Sequence, residues 1–149
     1  MRSLSTSDIH KEIYKDTYAK RIFKGVFPRD KLPHLDTYPS SFIVNTHPST
    51  YPGEHWLAFY FDKSKRCEFF DSFGFSLEFY GFKKYITRYS TSNRSNLMQI
   101  QDIDSNACGY FCIYFILLKS RGFSLEHISR LFSESNFILN DYLFSHILK

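Results

Sequence analysis

The run CGYFCIYFILLKS, Cys108 to Ser120, constrains this chain more than any other stretch of it. Read as a helix it is apolar nearly all round, so it has no face to offer water and must be enclosed by the rest of the molecule. Arg121-Gly122 supplies its stop. The remaining elements therefore have to be those of a single domain, residues 1–149, built around a buried helix. Composition suits this: 43% of residues are apolar and 19% aromatic, with seventeen Phe and eleven Tyr, enough rings to pack a core and to leave some lining a groove for an extended ligand.

The pattern before and after this run predicts α+β. Ser7 is placed to cap a first helix, with Ile9, Ile13 and Tyr14 or Tyr18 as its apolar stripe, fading near Phe23. Residues 25–40 carry three prolines and read as irregular surface chain. Ser41–Thr46 is β-prone, 46–54 a loop, and His55–Phe61 and Arg66–Asp71 a hairpin around Asp-Lys-Ser-Lys. Leu77–Tyr89 reads as one helix, Leu97–Gln101 as another strand, and two closing helices cover Ser124–Phe132 and Ile138–Leu148. The expected architecture is a small mixed or antiparallel sheet packed against helices.

Charge and cysteine usage exclude several classes. A net charge of +4 and pI near 8.9 are too mild to mark a nucleic-acid binder. The basic runs where DNA would dock are Lys11, Lys15, Lys20, Arg21 and Lys24, and then Lys83, Lys84, Arg88 and Arg94. Three cysteines, Cys67, Cys108 and Cys112, and no apolar leader argue against a disulfide framework and for a reducing compartment; the expectation is an intracellular, unsecreted monomer. No apolar run is long enough to span a bilayer, and the cysteines and His55 lack the paired spacing of structural zinc, so no metal is expected.

Two places could carry chemistry. In the hairpin, an odd loop puts His55, Leu57, Phe59 and Phe61 on one face with Cys67, Phe69 and Asp71, and Trp56, Ala58 and Tyr60 on the other with Arg66, Glu68 and Phe70. A three-residue loop pairing 61 with 65 sets His55 directly across from Asp71, where a carboxylate would fix the imidazole tautomer and stabilise its charged form. Taken alone, an ordinary His–Asp surface pair at strand ends is the simpler reading of the hairpin. The second place is Cys108 at the start of the buried helix. Free backbone N–H groups and the positive end of the helix dipole favour its thiolate and can hold a developing oxyanion, although a core cysteine opening a helix would look the same. Gln101, ahead of the polar linker, would donate a second oxyanion hydrogen bond. Gly53, Glu54, Trp56, Asn106 and Gly109 flank these positions and are expected to line the substrate cleft, Gly109 because it puts no Cβ in the way. Cys112 and Cys67 read as core thiols.

Three blocks, GVFPRDKLP at 25–33, FIVNT followed by GEHWLAFYFDKSKRCEFFDSFGFS within 42–76, and QDIDSNACGYFC at 101–112, carry a resemblance. The chain resembles the adenovirus-type cysteine proteases (adenain), including those of Maverick/Polinton elements, in the wider clan of SUMO- and NEDD8-deconjugating proteases. The resemblance implies an adenain-type, papain-like fold with the nucleophile opening a buried helix. It implies a thiol protease with Cys108 as nucleophile, His55 as base, Asp71 as orienting acid and Gln101 in the oxyanion hole. It further implies polypeptide substrates, the capsid or core precursors of a virus or transposon, cut after small, Gly-containing motifs in a nucleus, viral factory or virion. Rivals are removal of a ubiquitin-like modifier and a non-catalytic DNA- or capsid-binding role. The resemblance implies no cofactor, but it allows a peptide or DNA activator. Residues 72–100 hold no cysteine, so a disulfide-linked activator is not expected.

Overall fold

Ser5, rather than Ser7, opens the first helix of the computed structural model, which describes residues 2–47, 55–96, 98–102 and 105–144. The Ser5 hydroxyl accepts from the Asp8 N–H at 3.1 Å, and the Asp8 carboxylate accepts from the Ser5 N–H at 2.9 Å. This reciprocal cap outcompetes Ser7, which lies inside the first turn. Helix α1 (Thr6–Tyr14) buries Ile9 and Ile13 and stops well before Phe23, because a short 3-10 turn, Ala19–Arg21, takes over.

The expected irregular segment begins with a strand instead. β1 (Phe23–Pro28) runs parallel to β2 (Ser40–Asn45), and a register shift between Phe23 and Val26 falls at Gly25, whose φ is +134°. That irregularity breaks the alternation by which a strand is recognised, and an outer strand tolerates a terminal proline. β3 (Trp56–Phe61) and β4 (Arg66–Phe70) follow antiparallel, and β5 (Ser92–Ser95) closes a five-stranded mixed sheet of order β1-β2-β3-β4-β5, parallel to β4. The fifth strand was expected at Leu97–Gln101. It is the polar SNRS stretch, held by pairing with β4 and by the Arg94 guanidinium on Glu68 at 2.5 Å, neither of which periodicity reveals. Met98–Gln101 is not a strand, and Leu97 lies outside the described residues.

Both faces of this sheet are covered. Trp56, Ala58 and Phe70 point to the face carrying α1 and α4 (Cys108–Ser120), with α5 (Leu125–Arg130) and α6 (Phe137–Phe144) beyond. Leu57, Phe59, Phe61, Cys67 and Phe69 point to the face under α2 (Leu77–Tyr80) and α3 (Lys83–Tyr89). The division of side chains between faces is the one an odd hairpin loop requires. α2 and α3, expected as one helix, separate at Gly81, which takes a left-handed φ of +83° and caps α2. The predicted stretch 145–148 of the last helix lies outside the described residues.

Helix α4 is enclosed as its composition demands, with Phe111, Cys112, Phe115 and Ile116 fully buried. Its one cationic residue, Lys119, is buried too; the ammonium pairs with Glu68 of β4, donates to the Phe123 carbonyl at 2.9 Å and lies 5.0 Å from the Tyr60 ring centre. A buried lysine is tolerable only with such partners. Among the described residues no helix is long and apolar enough to cross a membrane.

Candidate active site

The hairpin turn decides where His55 stands. Asp62 accepts from the N–H groups of Ser64, Lys65 and Arg66, and Lys65 adopts a left-handed φ of +62°. The three-residue loop is therefore 63–65, one position later than expected, and Phe61 pairs with Cys67 rather than with residue 65. Continuing that register sets His55 level with Phe73, not Asp71. The rings of His55 and Phe73 stack at 4.1 Å with 9° between planes, while Asp71 reaches the imidazole from the diagonal position. His55 Nε2 and Asp71 Oδ1 are 2.6 Å apart, both residues buried.

Asp71 is held from every side. Oδ1 also accepts from the Phe73 N–H at 3.0 Å, and Oδ2 accepts from the Phe75 N–H at 3.1 Å and the Tyr80 hydroxyl at 2.6 Å. Asn96 clamps its backbone, accepting from the Asp71 N–H at 3.0 Å and donating to the Asp71 carbonyl at 2.6 Å. The turn itself needs Gly74, whose φ is +80°; a Cβ there would lie 2.6 Å from the backbone of Met98 and Gln99. Gly74→Ala is expected to cost about 1–3 kcal/mol of stability in urea unfolding, because neither the backbone angle nor the facing chain can give way cheaply.

A carboxylate can only accept, so the proton between His55 and Asp71 belongs to Nε2, and Nδ1 is the nitrogen left for chemistry. Nδ1 is buried and makes no hydrogen bond among the described residues. Burial by itself pulls the imidazole's pKa down. The hydrogen bond to Asp71 and then the Cys108 sulfur, which lies near enough to act on the ring, overcome that and lift it to about 9.

Cys108 is the first residue of α4, and no side chain caps the helix there, so the N–H groups of its first turn are not taken up by a neighbouring cap. The sulfur belongs to a residue only 6% exposed. Cys67 and Cys112 are also buried, and burial raises both thiols well above the ordinary cysteine value, Cys112 completely enclosed beneath Cys108 on the same helix. Gln101 is fully buried; its Nε2 donates to the Ser105 carbonyl at 2.9 Å and its Oε1 accepts from the Ser72 hydroxyl.

The structure thus brings His55 and Asp71 into contact, and Cys108 is near enough to influence the ring's charge. Trp56 lies on the opposite face of β3, its indole N–H donating to the Leu4 carbonyl at 3.3 Å. A Cβ on Gly109 would come within 3.2 Å of both Leu4 and Trp56, so close packing against the N-terminal segment accounts for that glycine. Asn106 is exposed just ahead of α4, and Gly53 and Glu54 lie outside the described residues. Sequence reasoning missed Ser72, Phe73, Tyr80 and Asn96. Only the first two carried any signal, as neighbours of an assigned acid.

Residues 22–127 match the family model described as adenovirus endoprotease. The protease of Human adenovirus D serotype 9 is 35% identical over 115 residues, covering 67% of this chain and 51% of that protein. The protease of Bovine adenovirus 2 is 34% identical over 113 residues, with the same coverage. A crystal structure of an ASFV protease superposes with a TM-score of 0.64 at 13% identity, over 98% of this chain and 67% of that one, and a selenomethionine form gives 0.54 at 20% over 72% and 43%. The fold is therefore that of this protease clan, and the chain belongs to the adenovirus endoprotease family. It spans about half the length of the adenovirus proteases it matches.

Proposed function

We propose that this domain is a cysteine endopeptidase in which Cys108 attacks, His55 shuttles the proton, Asp71 orients the base, and Gln101 with the Cys108 N–H receives the oxyanion. The observation that carries the reading is the imidazole itself: Nε2 is committed to Asp71, Nδ1 has no hydrogen-bond partner among the described residues, and the Cys108 sulfur at the start of α4 is near enough to act on the ring. The thiolate forms a bond to the scissile carbonyl carbon, the carbonyl electrons move onto oxygen, and collapse of this intermediate expels the amine, protonated by His55. Water, deprotonated by His55, then displaces Cys108 from the thioester.

Polypeptides cut after small, Gly-containing motifs, in the precursors of a viral or transposon-encoded particle, are the substrates consistent with family membership. The exposed, stacked rings of Phe75 and Phe79 follow directly on the turn that holds Asp71 and offer flat apolar surface to an extended chain. Three free cysteines suit an intracellular setting, a nucleus, viral factory or virion. Any activating peptide would bind without a disulfide in the 72–100 region, which holds no cysteine. DNA is a weaker prospect: Lys11 on α1 and Lys83, Lys84 and Arg88 on α3 belong to helices packed on opposite faces of the sheet, and Arg94 is committed to Glu68 and Glu126.

Hydrolysis of a fluorogenic peptide with a Gly-Gly site, with cleavage mapped by mass spectrometry, tests the reading. Wild type should cut and Cys108→Ala should not; equal cutting by both would remove Cys108 from the reaction.

A further inference from the structure

We infer that Ser72 is a positioning residue for the oxyanion hole, holding the Gln101 amide in the one orientation that keeps an N–H of its nitrogen for the oxyanion. This rests on the reading of Cys108 as nucleophile and of Gln101 as an oxyanion donor. Ser72 is fully buried and grips the Ile100–Gln101 segment three ways. Its carbonyl accepts from the N–H groups of Ile100 at 2.9 Å and Gln101 at 3.1 Å, and its hydroxyl donates to Gln101 Oε1.

The chemistry of the partners fixes the assignment. The Ser105 carbonyl can only accept, so the Gln101 atom 2.9 Å from it must be the amide nitrogen, which leaves Oε1 facing Ser72. A hydroxyl can donate, so Ser72 satisfies that oxygen. One N–H of Nε2 goes to Ser105, and the second, which has no partner among the described residues, is the one for a developing oxyanion. Removing the hydroxyl would leave Oε1 buried and unpaired, a state relieved by rotating the amide out of place. The hydroxyl also draws electron density from the amide and so strengthens its remaining N–H as a donor.

Ser72 directly follows Asp71, so one dipeptide orients both halves of the site: the carboxylate sets the imidazole, and the next hydroxyl sets the oxyanion amide. Gly74 seats the same turn against Met98 and Gln99, which ties the Asp71 turn to the segment bearing Gln101.

Two reagents separate positioning from general damage. Iodoacetamide alkylates a thiolate by displacement and develops no oxyanion. p-Nitrophenyl acetate acylates it through a tetrahedral intermediate: the S–C bond forms, the ester C–O bond breaks, and nitrophenolate leaves. For Ser72→Ala the acylation rate at Cys108 should fall by roughly 10- to 100-fold, short of or equal to the ~10²–10³ that loss of an oxyanion donor costs. Alkylation at Cys108 should stay within about twofold of wild type on the same physical ground, since that step needs only the thiolate–imidazolium pair. Gln101→Ala should show the same split, and the double variant should lose little more than either single one. Acylation unchanged in Ser72→Ala would overturn the inference, as would acylation and alkylation falling together. Wild type that reacts with neither reagent at Cys108 would overturn the nucleophile reading itself, and the inference with it.

Discussion

Asp71→Asn should lower the rate of peptide cleavage by about 10³- to 10⁴-fold, the scale set by losing the acid of a catalytic triad. The carboxylate accepts four hydrogen bonds, two on each oxygen. An amide can accept on one side only. If its NH₂ replaces Oδ2, it opposes the Phe75 N–H, and the Tyr80 hydroxyl must turn round to accept. If it replaces Oδ1, it opposes the Phe73 N–H and donates to His55 Nε2. The imidazole must then carry its proton on Nδ1, the nitrogen that has to receive one from Cys108. In both orientations the negative charge that stabilises the imidazolium is gone. A stability loss of about 1–3 kcal/mol should accompany it, from the backbone N–H left facing a donor. Kinetics on the Gly-Gly peptide, together with urea unfolding, reads both quantities. A loss of less than tenfold in cleavage would mean that Asp71 merely anchors its turn.

The second large effect is a pH dependence of stability that belongs to His55. Burial opposes its charge, but Asp71 and then Cys108 raise its folded-state pKa to about 9, above an unfolded value near 6.5. A group raised in this way contributes its stabilisation in full below the unfolded value and loses it as pH climbs through the folded one. The separation corresponds to about 3 kcal/mol at most. Urea unfolding at pH 6 and at pH 10 should therefore show wild type losing about that much more than His55→Gln, in which the titrating ring is absent. The cleavage rate should fall on its alkaline side near pH 9, as the imidazolium that protonates the leaving amine disappears. Parallel stability curves for the two proteins would show that the imidazole is not held charged.

What the sequence discloses and what it hides divide along physical lines. The buried helix beginning at Cys108, the sidedness of the hairpin and the location of β2 to β4 were legible, because apolar pattern alone dictates them. β1 and β5 were not: one is broken by Gly25, the other is SNRS, a strand only because Arg94 and the β4 backbone hold it. The hairpin register was missed by two residues, because Lys65 takes a left-handed angle that lysine seldom adopts, and this shifted the loop by one position. The nearness of His55 to Asp71 survived the error: a diagonal neighbour is still within reach, and the turn through Gly74 brings the carboxylate back to it. Ser72, Tyr80 and Asn96 escaped notice because a hydroxyl or an amide reveals its partner only once the chain is folded.

Iodoacetamide labelling near neutral pH, mapped by mass spectrometry in wild type and His55→Ala, tests the pairing of Cys108 with His55 most directly. Cys67 and Cys112 are buried, and burial holds both as thiols. Labelling should therefore be fast at Cys108 alone and at least tenfold slower there in His55→Ala, because the imidazolium that sustains the thiolate is gone. Labelling of Cys108 at the same rate in both proteins, or no faster than at the other two cysteines, would contradict a thiolate–imidazolium pair.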